Sequence, residues 1–487
     1  MSRIVPIALA LAAAATSVGV PETARAAPPG PSLRWEACPA EVSAPELECA
    51  RLDVPLDYRK PNGRTIEVAI SRLPSKNPEK RRGVLLTNPG GPGGYGLGQP
   101  AQLKAAGLPQ AVLDRYDVIG FDPRGAGLST PVTCGMADQQ LWGNIPPYAR
   151  NAADVARHAK RAQTAAEQCA DSDTAYMLPH TSTRNTARDM DRIRAALGEK
   201  KLSYLGYSYG SHLGAVYTTL YPGRSDRIVL DSNTVPTGLD ATGARLMARG
   251  VEDRFPDFAA FAAARPEYGL GSTPEEVTAK FHELAGRLDK HPVRGVDGSY
   301  FRLLTLTFLY RDSRLPIVAE AWRALDTDQP LPPAVDPSLT DPDVENKVAS
   351  HLYVICNDSR WSRSVGSYQR DVAVDRKRYP MFGAASANIR PCAFWKSRPA
   401  EPPVEVGDRG PSNVLMAQNS RDPATPLVGA LQMRRALGDR ARMVTADHGG
   451  HGVYVLGGNT CVDRIVTGFL AEGERPARDM TCAADPS

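Results

Sequence analysis

The chain has 487 residues, 42% of them hydrophobic and 23% charged, with a formal net charge of +4. That apolar fraction supports a sizeable core and excludes a wholly disordered chain. A near balance of 58 basic against 54 acidic residues excludes a nucleic-acid binder of the clustered-basic kind.

The N-terminus reads as a signal peptide over residues 1–26. Arg3 gives a short positive start, residues 4–20 are almost wholly apolar or small, and Ala24-Arg25-Ala26 is a small-x-small cleavage pattern. Cleavage after Ala27 is the neighbouring alternative, and residues 27–32 leave room for a short pro-segment. No other stretch is apolar for the ~18 residues a span needs, so no membrane association is expected after cleavage. The expected location is secreted and extracellular, as a monomer. An exported chain meets an oxidising compartment, where its eight cysteines should pair. None forms a C-x-x-C pair, which speaks against zinc or redox chemistry. Their order favours neighbours: Cys38 with Cys49, Cys134 with Cys169, Cys356 with Cys392, and Cys461 with Cys482. None of these pairs would bridge cap and core in the division given below, which leaves the cap free to move.

Strands are expected at 64–71, where apolar and polar residues alternate, and in the apolar runs 83–87, 116–121, 202–205 and 227–231. Helices are expected at 152–170, at 185–197 with Thr181 or Thr183 as cap, and from the end of the fourth strand through Tyr221. Strand and helix alternate with short connections, the pattern of a parallel sheet wrapped by helices. From about Val235 the alternation stops. Helical stretches at 242–264 and 274–290 lie among Pro-rich loops, and 329–343 reads as a linker or surface loop. Alternation returns with strands at 414–417 and 441–445 around a helix near 427–437. The division is therefore a core segment at 27–235, a mainly helical cap at 236–410, and a second core segment at 411–487.

Gly206-Tyr207-Ser208-Tyr209-Gly210 fits the nucleophile elbow G-x-S-x-G, a tight turn from strand to helix that exposes the serine at a helix N-terminus. Ser208 is the candidate nucleophile. Asn88-Pro89-Gly90-Gly91-Pro92-Gly93-Gly94 follows a buried strand. Its glycines let backbone N–H groups approach a reacting carbonyl, so Gly91 joins the amide of Tyr209 as a candidate oxyanion-hole donor. The acid and base should follow the serine in the order Asp/Glu, then His. Asp422, in a turn after the strand at 414–417, is the candidate acid, with Asp231 the alternative. His451, in a Gly-flanked loop after the last strand, is the candidate base, with His448 its competitor. This set performs acyl transfer and requires neither metal nor organic cofactor.

These motifs, together with Asp122-Pro123-Arg124-Gly125-Ala126-Gly127-Leu128-Ser129, occur in an order that resembles the secreted tripeptidyl aminopeptidases of actinomycetes. That group sits among α/β-hydrolases with the prolyl iminopeptidases. The resemblance spans about residues 33–482. It implies an α/β-hydrolase fold, a mostly parallel sheet wrapped by helices, with an inserted helical cap. It also implies a serine exopeptidase acting on peptide or protein N-termini and releasing short peptides, tripeptides above all. Three positions depart from relatives: Asn88 stands where prolyl iminopeptidases have His, Ser232 where Gly is usual, and the early cap lacks a Trp-Cys pair. A free α-amine calls for a carboxylate in the cap; Glu252 and Asp253 are the candidates. A secreted esterase or lipase on the same fold is the alternative activity.

Overall fold

The computed structural model describes residues 33–42, 44–137, 145–335 and 343–485. The signal peptide read at 1–26, the pro-segment at 27–32 and positions 336–342 of the linker lie outside them. Among the described residues one sheet holds β1 (Glu36–Ala37), β2 (Glu48–Pro55), β3 (Thr65–Leu73), β4 (Gly83–Asn88) and β5 (Tyr116–Phe121). It continues with β6 (Leu202–Tyr207), β7 (Ser225–Asp231), β8 (Val414–Arg421), β9 (Ala441–Gly449) and β10 (Met480–Cys482). Their spatial order is β1-β2-β3-β5-β4-β6-β7-β8-β9-β10. The pairings from β1 to β5 are antiparallel and all the others parallel. This is the α/β-hydrolase fold.

Burial explains which strands stand where. Every residue of β4, β5 and β6 is buried, because helices cover both faces of the parallel centre. The first half of β3, near the antiparallel edge, alternates between exposed and buried. One apolar cluster joins Val84, Leu86, Tyr204 and Leu213 on one side of the sheet. Another joins Leu85, Leu205, Val229 and Phe469 on the other. The helix expected at 185–197 runs Thr183–Ala196, and its cap is Ser182, whose side chain accepts from the Asn185 N–H, rather than Thr181 or Thr183.

The Asp122–Gly127 motif is used for construction. Asp122 accepts from the N–H groups of Gly96, Leu97 and Leu128 at 2.8, 3.1 and 2.9 Å. Arg124 and Asp189 form a buried ion pair with bonds of 2.7 and 2.6 Å, and Arg124 also donates to the carbonyls of Pro55, Leu56 and His180.

We propose 236–410 as an insertion, because the described residues there carry helices and no strand of the sheet. The first of them, Ala241–Ala263, packs with three further helices around Phe255, Phe258, Phe281, Phe301 and Trp322. The aromatic rings stack and meet edge to face, with centroids 4.9 to 6.0 Å apart. Two features cross the proposed boundaries. The start of the Ala152–Asp171 helix packs into this aromatic cluster, and the Val344–Asp358 helix packs into a cluster of the sheet. The structure pairs Cys38 with Cys49, Cys134 with Cys169, Cys356 with Cys392, and Cys461 with Cys482. None of these bonds joins cap to core. Polar contacts do: Arg421 meets Asp257 at 2.9 Å, and Arg311 donates to the Leu456 carbonyl at 2.6 Å. No helix of the described residues is long and apolar enough to cross a membrane.

Candidate active site

Parallel pairing brings the candidate residues to one edge of the sheet. In β4 and β6, Asn88 lies opposite Gly206, so the glycine-rich loop and the serine turn leave side by side. Tyr207 of β6 lies opposite Asp231 of β7. Arg421 of β8 lies opposite Gly449 of β9, which sets Asp422 and His451 on adjacent loops. Ligands of open α/β sheets bind at this carboxyl edge.

Ser208 has φ 57° and ψ −123°, a conformation rare for a side-chain-bearing residue, and starts the Tyr209–Leu220 helix. Its N–H is tied to the Asp231 carbonyl at 2.9 Å. A Cβ on Gly90 would stand 2.5 Å from the Tyr207 carbonyl oxygen and 2.9 Å from the Ser208 Cβ. Only glycine lets the loop approach the elbow this closely. Asn88 Oδ1 accepts the Gly90 N–H at 3.0 Å and fixes the start of the loop. Gly91 and Ser208 then line one cavity of about 290 Å³, with Tyr310, His351, Arg390 and Thr425. The amide of Tyr209 is at the first helical position, where the helix offers no partner.

Asp422 is fully buried. Its carboxylate accepts the N–H groups of Ala424 and Thr425 at 2.8 Å and the Thr425 hydroxyl at 3.0 Å. It also lies 3.0 and 2.9 Å from His451 Nδ1. A carboxylate there keeps the proton on Nδ1 and leaves the Nε2 lone pair unprotonated. Among the described residues, no group of three His, Cys, Asp or Glu side chains is placed to hold a metal ion.

Asp231, the alternative acid, does something else. It accepts from the N–H groups of Val453 and Tyr454 at 2.9 and 2.8 Å, and the Ser232 hydroxyl at 3.0 Å. The Ser232 oxygen accepts the Gly452 N–H at 2.8 Å. Asp231 and Ser232 thus hold the loop that carries His451. Burial raises the Asp231 pKa to about 7 against those hydrogen bonds. His448, the competing base, faces Asp312 at 3.8 Å instead.

Glu252 and Asp253 are not brought to the cavity. Glu252 accepts the Met381 N–H at 3.0 Å, and burial raises its pKa. Asp253 is exposed and paired with Arg249 at 3.4 Å. Ala244 and Met247 are the residues of that helix that line the cavity. At 3.6 residues per turn, Glu252 lies roughly 140° around the helix from Met247. Sequence reasoning also missed Tyr310. Its carbonyl accepts the His451 N–H at 2.8 Å and its ring lies 4.8 Å from the imidazole. No motif marks this contact, because it joins segments about 140 residues apart.

A family model described as TAP-like protein matches residues 379–482. A tripeptidyl aminopeptidase of Streptomyces coelicolor is 37% identical over 482 residues, covering 94% of this chain and 87% of that one. The chain belongs to the tripeptidyl aminopeptidase family. Serine protease Hip1 of Mycobacterium tuberculosis is 28% identical over 492 residues, covering 93% of this chain and 91% of its own. A carboxylesterase B of Mycobacterium tuberculosis is 28% identical, covering 97% of this chain and 94% of that one. A solved proline iminopeptidase from Mycobacterium smegmatis is 16% identical, with a TM-score of 0.39, over 86% of this chain and 97% of that one.

Proposed function

We propose that this family member is an exported exopeptidase that releases tripeptides from free N-termini through an acyl-enzyme on Ser208. The observation that carries the reading is the bond from His451 Nδ1 to the buried Asp422 carboxylate, beside the cavity that Ser208 and Gly91 line. His451 Nε2 takes the Ser208 proton as the hydroxyl attacks the acyl carbon. Asp422 holds the tautomer and stabilises the imidazolium. The oxyanion rests on the Tyr209 and Gly91 amides. The imidazolium then protonates the leaving amine, and water, activated by the same ring, hydrolyses the ester.

Leu239, Met247 and Leu303 of the proposed cap line the same cavity as Ser208 and Gly91. Four disulfides fit an oxidising, extracytoplasmic destination. The test is hydrolysis of mono-, di- and tripeptidyl chromogenic amides with free or acetylated N-termini. The reading expects the free tripeptidyl amide to be turned over fastest and the acetylated one to resist. Equal rates for free and acetylated peptides would contradict it. Ester hydrolysis is the second reading, favoured by the relative named carboxylesterase B; a simple ester cleaved faster than every peptide would select it.

A further inference from the structure

The Val344–Asp358 helix lies against the sheet, and several of its side chains bond the backbone beside the active site. Asn346 Nδ2 donates to the carbonyls of Gly125 and Val132 at 2.9 and 2.7 Å. Its Oδ1 accepts the Gly127 N–H at 2.9 Å and the Tyr95 hydroxyl at 2.8 Å. Ser350 Oγ donates to the Gly125 carbonyl at 2.6 Å. A Cβ at Gly93 would collide with the Lys347 carbonyl, so helix and glycine-rich loop are in direct backbone contact. At this junction His351 Nδ1 stands 3.3 Å from the Pro92 carbonyl oxygen.

A carbonyl oxygen only accepts, so Nδ1 carries the hydrogen and His351 is the donor. The side chain is 4% exposed. Burial, with Arg390 adding to it, pushes the ring's pKa down to about 3, which keeps it neutral. The bond lands one residue from Gly91, the candidate oxyanion donor. Gly91 has φ 107°, and four glycines among residues 90–94 give this loop more backbone freedom than any other residue type would. An oxyanion hole works only if its donors are fixed before charge develops. The proline ring locks φ at position 92, so holding the Pro92 carbonyl fixes the residue on which Gly91 is anchored.

We propose that His351 is a positioning residue for the oxyanion hole, its Nδ1–H clamping the Pro92 carbonyl so that the Gly91 N–H faces the reacting carbonyl. The proposal rests on the reading of Ser208 and Gly91 given above. It makes a helix of the inserted region part of the catalytic apparatus.

Asparagine and glutamine separate this role from simple packing. The Asn amide nitrogen occupies the place of Nδ1, whereas that of Gln occupies the place of Nε2. The measurement is kcat and KM on a tripeptidyl amide, with thermal melts, for His351→Asn, His351→Gln and His351→Leu. The inhibition constant of a tripeptidyl trifluoromethyl ketone, which forms a tetrahedral adduct, is read beside them. We expect the Gln and Leu variants to lose about 10- to 100-fold in kcat at near-constant KM, less than or equal to the loss of a whole oxyanion donor. Ketone affinity should fall in parallel, and Asn should restore kcat to within about threefold. Equal losses in Asn and Gln, or an unchanged kcat in Gln, overturn the proposal, and that pair decides even if the Leu variant does not fold. Ser208→Ala, run alongside, reports on the underlying reading separately. Retained activity there overturns both, whereas its loss with unaltered Gln kinetics overturns only the role of His351.

Discussion

Two buried aspartates close neighbouring strands, and they divide the work. Asp422 faces the imidazole, while Asp231 holds the backbone of the His451 loop. Asp422→Asn should cost about 10⁴-fold in kcat, because an amide no longer fixes the productive tautomer; steady-state kinetics on a tripeptidyl amide checks this. Asp231 has its own pH signature. With its pKa raised to about 7, the folded chain keeps this proton after the unfolded chain has released it near pH 4. The group's contribution is therefore most favourable below about pH 4, and stability falls as pH rises toward 7. Asp231→Asn should flatten that part of the melting profile, and an unchanged slope in thermal melts across this range would contradict the assignment. Glu252→Gln and Asp253→Asn should leave KM for free-amine peptides unchanged, since neither residue lines the cavity; a raised KM in the same assay would put them back in the site. The nucleophile, acid and base candidates were legible because each follows a readable strand. Glu252 was misread because an acidic pair on an amphipathic helix carries no mark of which way it faces.

At the scale of elements, short apolar runs between glycines announced the central strands, whose all-buried pattern is what a parallel sheet demands. The edge was less legible. β2, which pairs along its length with β3, was not among the expected strands, although Ala50, Leu52 and Val54 alternate with Arg51 and Asp53 as a half-buried strand does. The Val344–Asp358 helix was hidden for another reason: its Asn346, Ser350 and His351 face polar loops of the core, which blurs the apolar stripe that marks a helix. The Arg124–Asp189 pair shows how the elements are tied together. It joins the Thr183–Ala196 helix to the end of β2 in a setting where both side chains are essentially unexposed. Arg124→Met would leave the Asp189 charge buried with its strongest partner gone. The expected cost is about 3–5 kcal/mol, read from denaturant unfolding; a loss below about 1 kcal/mol would show that Tyr58, which donates to Asp189 at 2.7 Å, suffices alone.

Over the whole molecule, local pairing of the cysteines and the polar contacts between the proposed cap and the core are separate features. Cys134–Cys169 closes a sequence separation of 35 residues and ties the segment after β5 to the Ala152–Asp171 helix. In the chain-entropy model such a loop contributes about 4 kcal/mol, so replacing both residues with Ser should lower denaturant stability by roughly that amount while the active-site geometry persists. The cap's attachment was beyond the sequence, because Asp257 and Arg421 meet across about 160 residues of chain and neither belongs to a motif. What every scale shares is the carboxyl edge of the sheet, where one serine is asked to carry the acyl group. Mass spectrometry of the enzyme quenched in acid during turnover of a tripeptidyl ester tests that claim directly. The expected result is a covalent adduct of tripeptidyl mass on the peptide containing Ser208, absent in Ser208→Ala. Product formation with the adduct on another residue, or undiminished turnover by Ser208→Ala, would contradict it.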